Sequence, residues 1–306
     1  MISRRNIRVK VMQTLYTLTS LEQGGAGSYT AAGAMLDNKL AQVLDLFTTA
    51  VLYTVRVAEY ADIDARQKAS RYLATAAEQN TDVRFATNSV VTAINNNKSF
   101  TDRVKNNKLD RFIDEDLVKK IFQNVLKSAE YSVYTHNSEH SAVADRAMMQ
   151  YIYGKEDIAE NFTDELPGWE DDAEMITMLM ENYFKGNSKV DFSKLLSGEK
   201  KDYAHDLLKA VMDREEYCME LISPKLVNWD KERVAIIDKL LLRMGVCEFL
   251  YFPTIPTKVT INEYIDIAKQ YSTPQSGQFV NGVLDNILKD LVKQELINKT
   301  ERNKKN

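Results

Sequence analysis

The sequence predicts an all-α protein built of helical bundles. The 306 residues include only 11 Gly and 5 Pro. Helix formers such as Leu, Ala, Lys and Glu are abundant, and apolar residues recur at spacings of three and four through much of the chain. The length suits about two domains or one elaborated domain. A formal net charge of −4 and a pI near 5.6 exclude a protein that holds nucleic acid through bulk positive charge, and leave room for a local basic patch.

A first helix is expected over residues 3–20, with Ser3 as N-cap and Met12, Leu15, Tyr16 and Thr19 recurring at helical spacing. Its opening, SRRNIRVK, holds three Arg, one Lys and no acid. Aligned peptide dipoles disfavour a cation at this end of a helix by about 0.3–1 kcal/mol. The Gly-rich LEQGGAGSYTAAGA interrupts the pattern. Residues 35–62 then read as a long helix, followed by weaker helical patterns over 64–79, 82–95 and 110–134. The polar NNNKSFTDRVKNNK, residues 95–108, reads as an exposed loop. The acidic stretch 156–174, which contains Pro167-Gly168, is expected to be a solvated connection, and helices resume over 175–184, 191–198 and 201–226.

Residues 231–252 are apolar on nearly all sides, as in the central helix of a bundle, and Pro253 and Pro256 end them. The next helix is expected to start at Thr260, where TINE offers a capping box: the Thr260 hydroxyl serves the amide three residues on and Glu263 reaches back. Thr273 and Pro274 then supply the cap and first position of the last helix. Over residues 278–292 that helix carries Val280, Val283, Leu284, Ile287, Leu288 and Leu291 on one stripe. Gly in a helix interior costs about 1 kcal/mol against Ala, so Gly282 predicts close approach of a neighbouring helix or ligand. The polar tail after Leu296 is expected to fray.

On a helix, Arg4 and Arg8 lie one turn apart with Arg5 adjacent and Lys10 on another side. Guanidinium forks match phosphate oxygens and stack on bases, and free helix amides reinforce anion binding. The alternative is a solvated basic turn, or pairing with the acidic segment 156–174. His136, Glu139 and His140 fit H-x-x-E-H, but no third ligand accompanies them, so no metal or other cofactor is expected. His205 reads as a packed or surface residue. No phosphate-binding loop, dinucleotide motif or nucleophile arrangement is present and the carboxylates are dispersed, so no enzyme is expected. Cys218 and Cys247 sit in helical apolar patterns as buried free thiols. No run of about 18 apolar residues suits a bilayer and no secretory signal follows the N-terminal basic residues. The expectation is a cytoplasmic protein with no membrane partner.

The two ends of the chain together resemble the NusB family of bacterial transcription antitermination factors. The family's first helix follows RRxARxxAxQxLY, matched here by Arg4, Arg5, Arg8, Gln13, Leu15 and Tyr16, with Ile7 and Val11 replacing the two alanines. Near the C-terminus the family reads KVAINEAIELAK, a short connection, then KFVNGVLD; this chain has KVTINEYIDIAKQYSTPQSGQFVNGVLD from Lys258 to Asp285. The stretches DLLKAVMDREEYCMELI and IDKLLLRMGVCEFLYF are similar to the family's middle helices. The resemblance implies a NusB-like domain made of an arginine-rich helix (1–20) and a main part (203–296), separated by an inserted helical region (21–202) that matches nothing, with a polar tail (297–306).

The resemblance further implies a non-catalytic factor that binds boxA-type single-stranded RNA together with the ribosomal protein NusE. Such a factor acts in ribosomal RNA transcription, with other Nus factors and RNA polymerase reached indirectly. By matched position, Arg4, Arg5 and Arg8 meet phosphates and base edges, with Lys10 and Tyr16 on the same helix. Lys258, Gln278, Phe279 and Asn281 lie in the other matched motifs; Gln278 stands where the family commonly has lysine. Phe279 offers either an aromatic face for an unstacked base or an anchor for the last helix. Asp238, Arg243 and Glu248 align with charged family positions and read as contacts to the protein partner or as salt bridges at the core's edge. The rival function is a helical protein-interaction factor with no RNA role.

Overall fold

The computed structural model describes residues 2–21, 28–71, 75, 82–136, 141–154, 162, 166, 168–186, 190–226 and 234–300. Among them there is no strand, as the all-α expectation requires. The α-helices are α1 (Arg4–Leu21), α2 (Tyr29–Ala69), α3 (Ser89–Asn95), α4 (Lys98–Asn106), α5 (Glu115–Leu126), α6 (Ala129–His136), α7 (Ala142–Tyr153), α8 (Trp169–Lys185), α9 (Gly198–Asp213), α10 (Glu215–Ile222), α11 (Ile236–Tyr251), α12 (Thr257–Tyr271) and α13 (Ser276–Lys293). They divide into two compact units, one of Ala41–Leu196 and one of Ile2–Leu40 with Ser197–Asn306. The unit that joins the two ends of the chain therefore also takes in the start of α2, rather than ending near residue 20.

In that unit α1 is capped reciprocally: the Asn6 amide donates to Ser3 Oγ (3.2 Å) and the Ser3 amide to Asn6 Oδ1 (3.1 Å). This is a capping box with Asn in place of Glu, and it satisfies two amides that a helix start leaves open. From Ile7 to Met12 every residue is buried, Arg8 and Lys10 included. α11 packs against α1, α9, α10, α12 and α13, which makes it the central helix its all-round apolar sequence predicts. Gly245 allows this, because a Cβ there would lie 2.8 Å from Leu284 Cδ2 on α13. Gly282, by contrast, faces open space; the close approach expected at Gly282 occurs at Gly245.

Several local expectations are corrected. TINE does not start a helix: α12 begins at Thr257 behind Pro256, and Thr260 is buried within it. Proline has no amide to satisfy and its φ of −61° suits the position before a helix, so the chain turns helical at once. Thr273 and Pro274 form a turn just ahead of α13, in which the Ser276 amide donates to the Thr273 carbonyl (2.9 Å). The tail is pinned where it is described: Lys299 Nζ donates to the carbonyls of Glu248 (2.7 Å) and Phe252 (2.9 Å), and the Thr300 amide to that of Pro253 (3.1 Å). A cation thereby serves the open carbonyls at the end of α11.

In the unit of Ala41–Leu196, residues 95–108 hold α4 rather than a loop. The Asn97 side chain accepts from the Ser99 and Phe100 amides as N-cap, and Phe100 packs on Phe192, which stacks on Phe47. Residues 191–197 form turns instead of a helix, with Asp191 Oδ1 accepting from the Ser193 amide (2.9 Å) and Ser99 Oγ from that of Phe192 (2.9 Å). The acidic stretch ends in α8, whose Trp169 is buried against Phe162 at 4.9 Å between ring centres.

α2 is longer than residues 35–62. At its start the Ser28 hydroxyl accepts from the Ala31 amide (3.3 Å). Contrary to expectation, α2 contains an 18-residue window long and apolar enough to cross a bilayer; 72% of that window is buried inside the protein, as in a core helix. Cys218 and Cys247 are buried free thiols as expected, with their sulfurs 3.5 Å apart. That contact, together with burial, pushes the Cys247 thiol far up.

Candidate nucleic-acid interface

The basic start of α1 meets carboxylates from elsewhere in its own unit. Arg8 is 2% exposed and donates from Nε to Glu248 Oε1 (2.6 Å) and from Nη2 to Glu248 Oε2 (3.1 Å). Glu248, on α11, is fully buried and also accepts from Thr260 Oγ1 (2.9 Å), Tyr264 OH (2.9 Å) and Tyr203 OH. One carboxylate thus joins α1, α9, α11 and α12 through a bidentate ion pair and three hydroxyls. Charge-assisted bonds of this kind satisfy a buried pair that would otherwise be costly to desolvate. Burial works to lower the Arg8 pKa, but the charge of Glu248 and its hydrogen bonds raise it on balance. Burial and the charge of Glu248 push the Tyr203 and Tyr264 hydroxyls well above their ordinary range.

The network continues outward. Arg8 Nη1 reaches Glu263 Oε2 (3.3 Å), and Arg5 holds the same carboxylate through Nε (3.0 Å) and Asp266 Oδ2 through Nη2 (2.8 Å). Arg5 remains nearly half exposed, and the hydrogen bond to Glu263 heads the causes that raise its pKa, against burial. Arg4 differs from both. It is exposed, has no carboxylate partner among the described residues, and its guanidinium lies 5.6 Å from the centre of the Tyr203 ring, within cation–π reach.

The expected site residues therefore separate. Arg4 and Arg5 are at the surface, whereas Arg8 faces the core. Lys10 is buried, with Nζ on Gln13 Oε1 (3.0 Å). Tyr16 is exposed two turns on. Lys258, Gln278 and Asn281 are exposed on α12 and α13, while Phe279 is buried and anchors α13. The three residues considered for a protein partner are all buried: Glu248 in the network above, Asp238 accepting from Ser276 Oγ (2.7 Å), and Arg243 paired with Glu215 (2.8 Å) and the Val211 carbonyl (3.1 Å). Arg8, expected at the RNA surface, and Glu248, expected at a partner contact or in a salt bridge at the core's edge, form a single core ion pair.

Sequence reasoning missed Tyr203, Thr260, Glu263, Tyr264 and Asp266. Their signal was present: at helical spacing Thr260, Glu263 and Tyr264 share one face, and that acidic helix supplies the counter-charge that the first helix lacks. His136 is exposed, with its ring on the Ser132 carbonyl (2.7 Å), while Glu139 and His140 lie outside the described residues. Among the described residues no group of His, Cys, Asp and Glu could hold a metal ion.

Fold and site together describe an all-helical protein with an arginine-headed helix locked into a bundle by a buried carboxylate. A family model described as the NusB family matches residues 170–289. The transcription antitermination protein NusB of Salinibacter ruber is 47% identical over 102 residues, 33% of this chain and 64% of that protein. Its namesake in Methylacidiphilum infernorum is 44% identical over 100 residues, 33% of this chain and 69% of the relative. That of Bacillus velezensis is 40% identical over 97 residues, 31% of this chain and 75% of the relative. This chain belongs to the NusB family. No solved structure matches it. The matched span starts within α8, upstream of the expected boundary at residue 203, and leaves α1 to α7 outside it.

Proposed function

We propose that the chain is a non-catalytic transcription antitermination factor that binds boxA-type single-stranded RNA at the start of α1 and acts with the ribosomal protein NusE. Its setting is ribosomal RNA transcription in the cytoplasm, with other Nus factors and RNA polymerase engaged indirectly. Arg4 carries the reading: an exposed guanidinium with no carboxylate partner among the described residues, held over Tyr203 at the end of a helix whose free amides favour phosphate. Arg5 supplies a second, partly neutralised cation beside it. Lys258, Gln278 and Asn281, exposed on α12 and α13, supply a further cation and two amides for phosphate and base edges. Arg8 acts in this reading as a scaffold for the two arginines ahead of it.

One observation favours the rival reading of a helical interaction factor without RNA: carboxylates already neutralise two of the three arginines. Affinity for a boxA-containing strand, measured at two salt concentrations, decides between them. Arg4→Ala and Arg5→Ala should each weaken binding, and each lost phosphate contact should flatten the salt slope by about 0.7. Unchanged affinity and slope in the double variant would favour the rival.

A further inference from the structure

The α6–α7 pair lies outside the span matched by the family. An apolar groove of about 460 Å³ on this pair is lined by Ala129, Val133, Tyr134, Ala144, Met148 and Tyr151. The two most exposed large apolar side chains among the described residues belong to the same pair: Val133, 69% exposed, and Val143, 67% exposed. Val143 does not line the groove; it stands beside it, one residue before Ala144. Each helix also carries a charge with no hydrogen-bond or ion-pair partner among the described residues, Glu130 on α6 and Arg146 on α7. Glu130 borders the groove, and Arg146 lies next to Val143 by helical periodicity.

A projecting valine beside a hollow of its own, flanked by one unpaired charge of each sign, is complementary to itself about a two-fold axis. We propose that the α6–α7 face is the interface of a homodimer, in which Val143 of each copy enters the groove of the other and Glu130 of each meets Arg146 of the other. Ala129, Ala144 and Ala147 keep the rim low enough for the helices to approach. Met148, unbranched and polarisable, lets the floor fit an incoming side chain. A second copy is the occupant because one contact then satisfies both unpaired charges, twice over. A face of two short helices per copy lies at the small end of specific interfaces, so the dimer is reversible.

Sedimentation of the full chain over a roughly hundredfold range of concentration tests this through mass action. The expected result is a mass that rises from 35.0 kDa toward twice that value. Val143→Glu should keep the chain monomeric throughout. Glu130→Arg and Arg146→Glu should each weaken association by at least about tenfold through like-charge contacts, and their combination should restore it. Val143 and Glu130 are exposed and Arg146 is half-buried without a hydrogen-bond or ion-pair partner among the described residues, so unchanged melting curves are expected to accompany these effects. A wild type that stays monomeric at every concentration would overturn the proposal. So would a dimer indifferent to Val143→Glu, a double charge exchange that fails to restore association, or a monomeric chain that uses Val143 only to capture a different protein.

Discussion

Replacing Arg8 by Met removes the cation from the core network while keeping most of the side-chain volume. Glu248, fully buried, would keep the Thr260, Tyr264 and Tyr203 hydroxyls and lose both guanidinium bonds, of 2.6 and 3.1 Å. Breaking one side of a buried pair and leaving the other charge uncompensated costs about 3–5 kcal/mol. For a unit of this size each kcal/mol moves the melting temperature by about 2–4 °C, so Arg8→Met should lower it by roughly 6–20 °C. The double variant Arg8→Met/Glu248→Leu removes the stranded charge but should recover little or none of the loss. Three buried hydroxyls then lack an acceptor, each at about 1–3 kcal/mol. Thermal unfolding followed by circular dichroism reads all three proteins. A fall below about 2 °C for Arg8→Met, together with a large loss of RNA affinity, would refute the structural role and return Arg8 to the RNA surface.

Gly282→Ala, into open space, should stabilise the chain by up to about 1 kcal/mol. Gly245→Ala, whose new Cβ would sit 2.8 Å from Leu284, should destabilise it by about 1–3 kcal/mol; denaturant melts compare the two. Asp266→Asn releases one hold on Arg5, and since a surface ion pair is worth about 0.2–1 kcal/mol, affinity for a boxA strand should rise by up to about fivefold at low salt. For Asp37, burial works to raise the pKa, but His205 at 2.9 Å and Lys201 at 3.2 Å hold it below 3.8 on balance. A lowered carboxylate stabilises the folded state above its unfolded pKa, and that contribution is lost as pH falls through the folded value. Asp37→Asn should therefore be the less stable protein at neutral pH, and the difference should close as pH falls below 3.8.

The helical class, the central place of α11 and the core stripe of α13 were legible because periodicity reports burial directly. Ser3 as a cap was legible because its partners are local. Several of the misreadings share one physical source, a side chain whose partner is far away in sequence. Thr260 and Glu263 have capping-box spacing, but Glu248 and two arginines across the unit attract them more strongly than the local amides do. Asn97 and Phe100 turn a polar stretch into a helix because Phe192 waits to receive the phenyl ring. SRRNIRVK looked unbalanced only because its acids, Glu248, Glu263 and Asp266, are about 240 to 260 residues away. Its motif could say that arginines matter there, but not which of them reach solvent.

The division between Arg4 and Arg5 at the surface and Arg8 in the core is tested most directly by photocrosslinking a boxA-containing strand with thiouridine to the full chain and mapping adducts by mass spectrometry. Adducts are expected on peptides carrying residues 3–6 and on the α12–α13 segment that presents Lys258, Gln278 and Asn281. Adducts confined to residues 41–196, with none at the start of α1, would contradict the proposed RNA site.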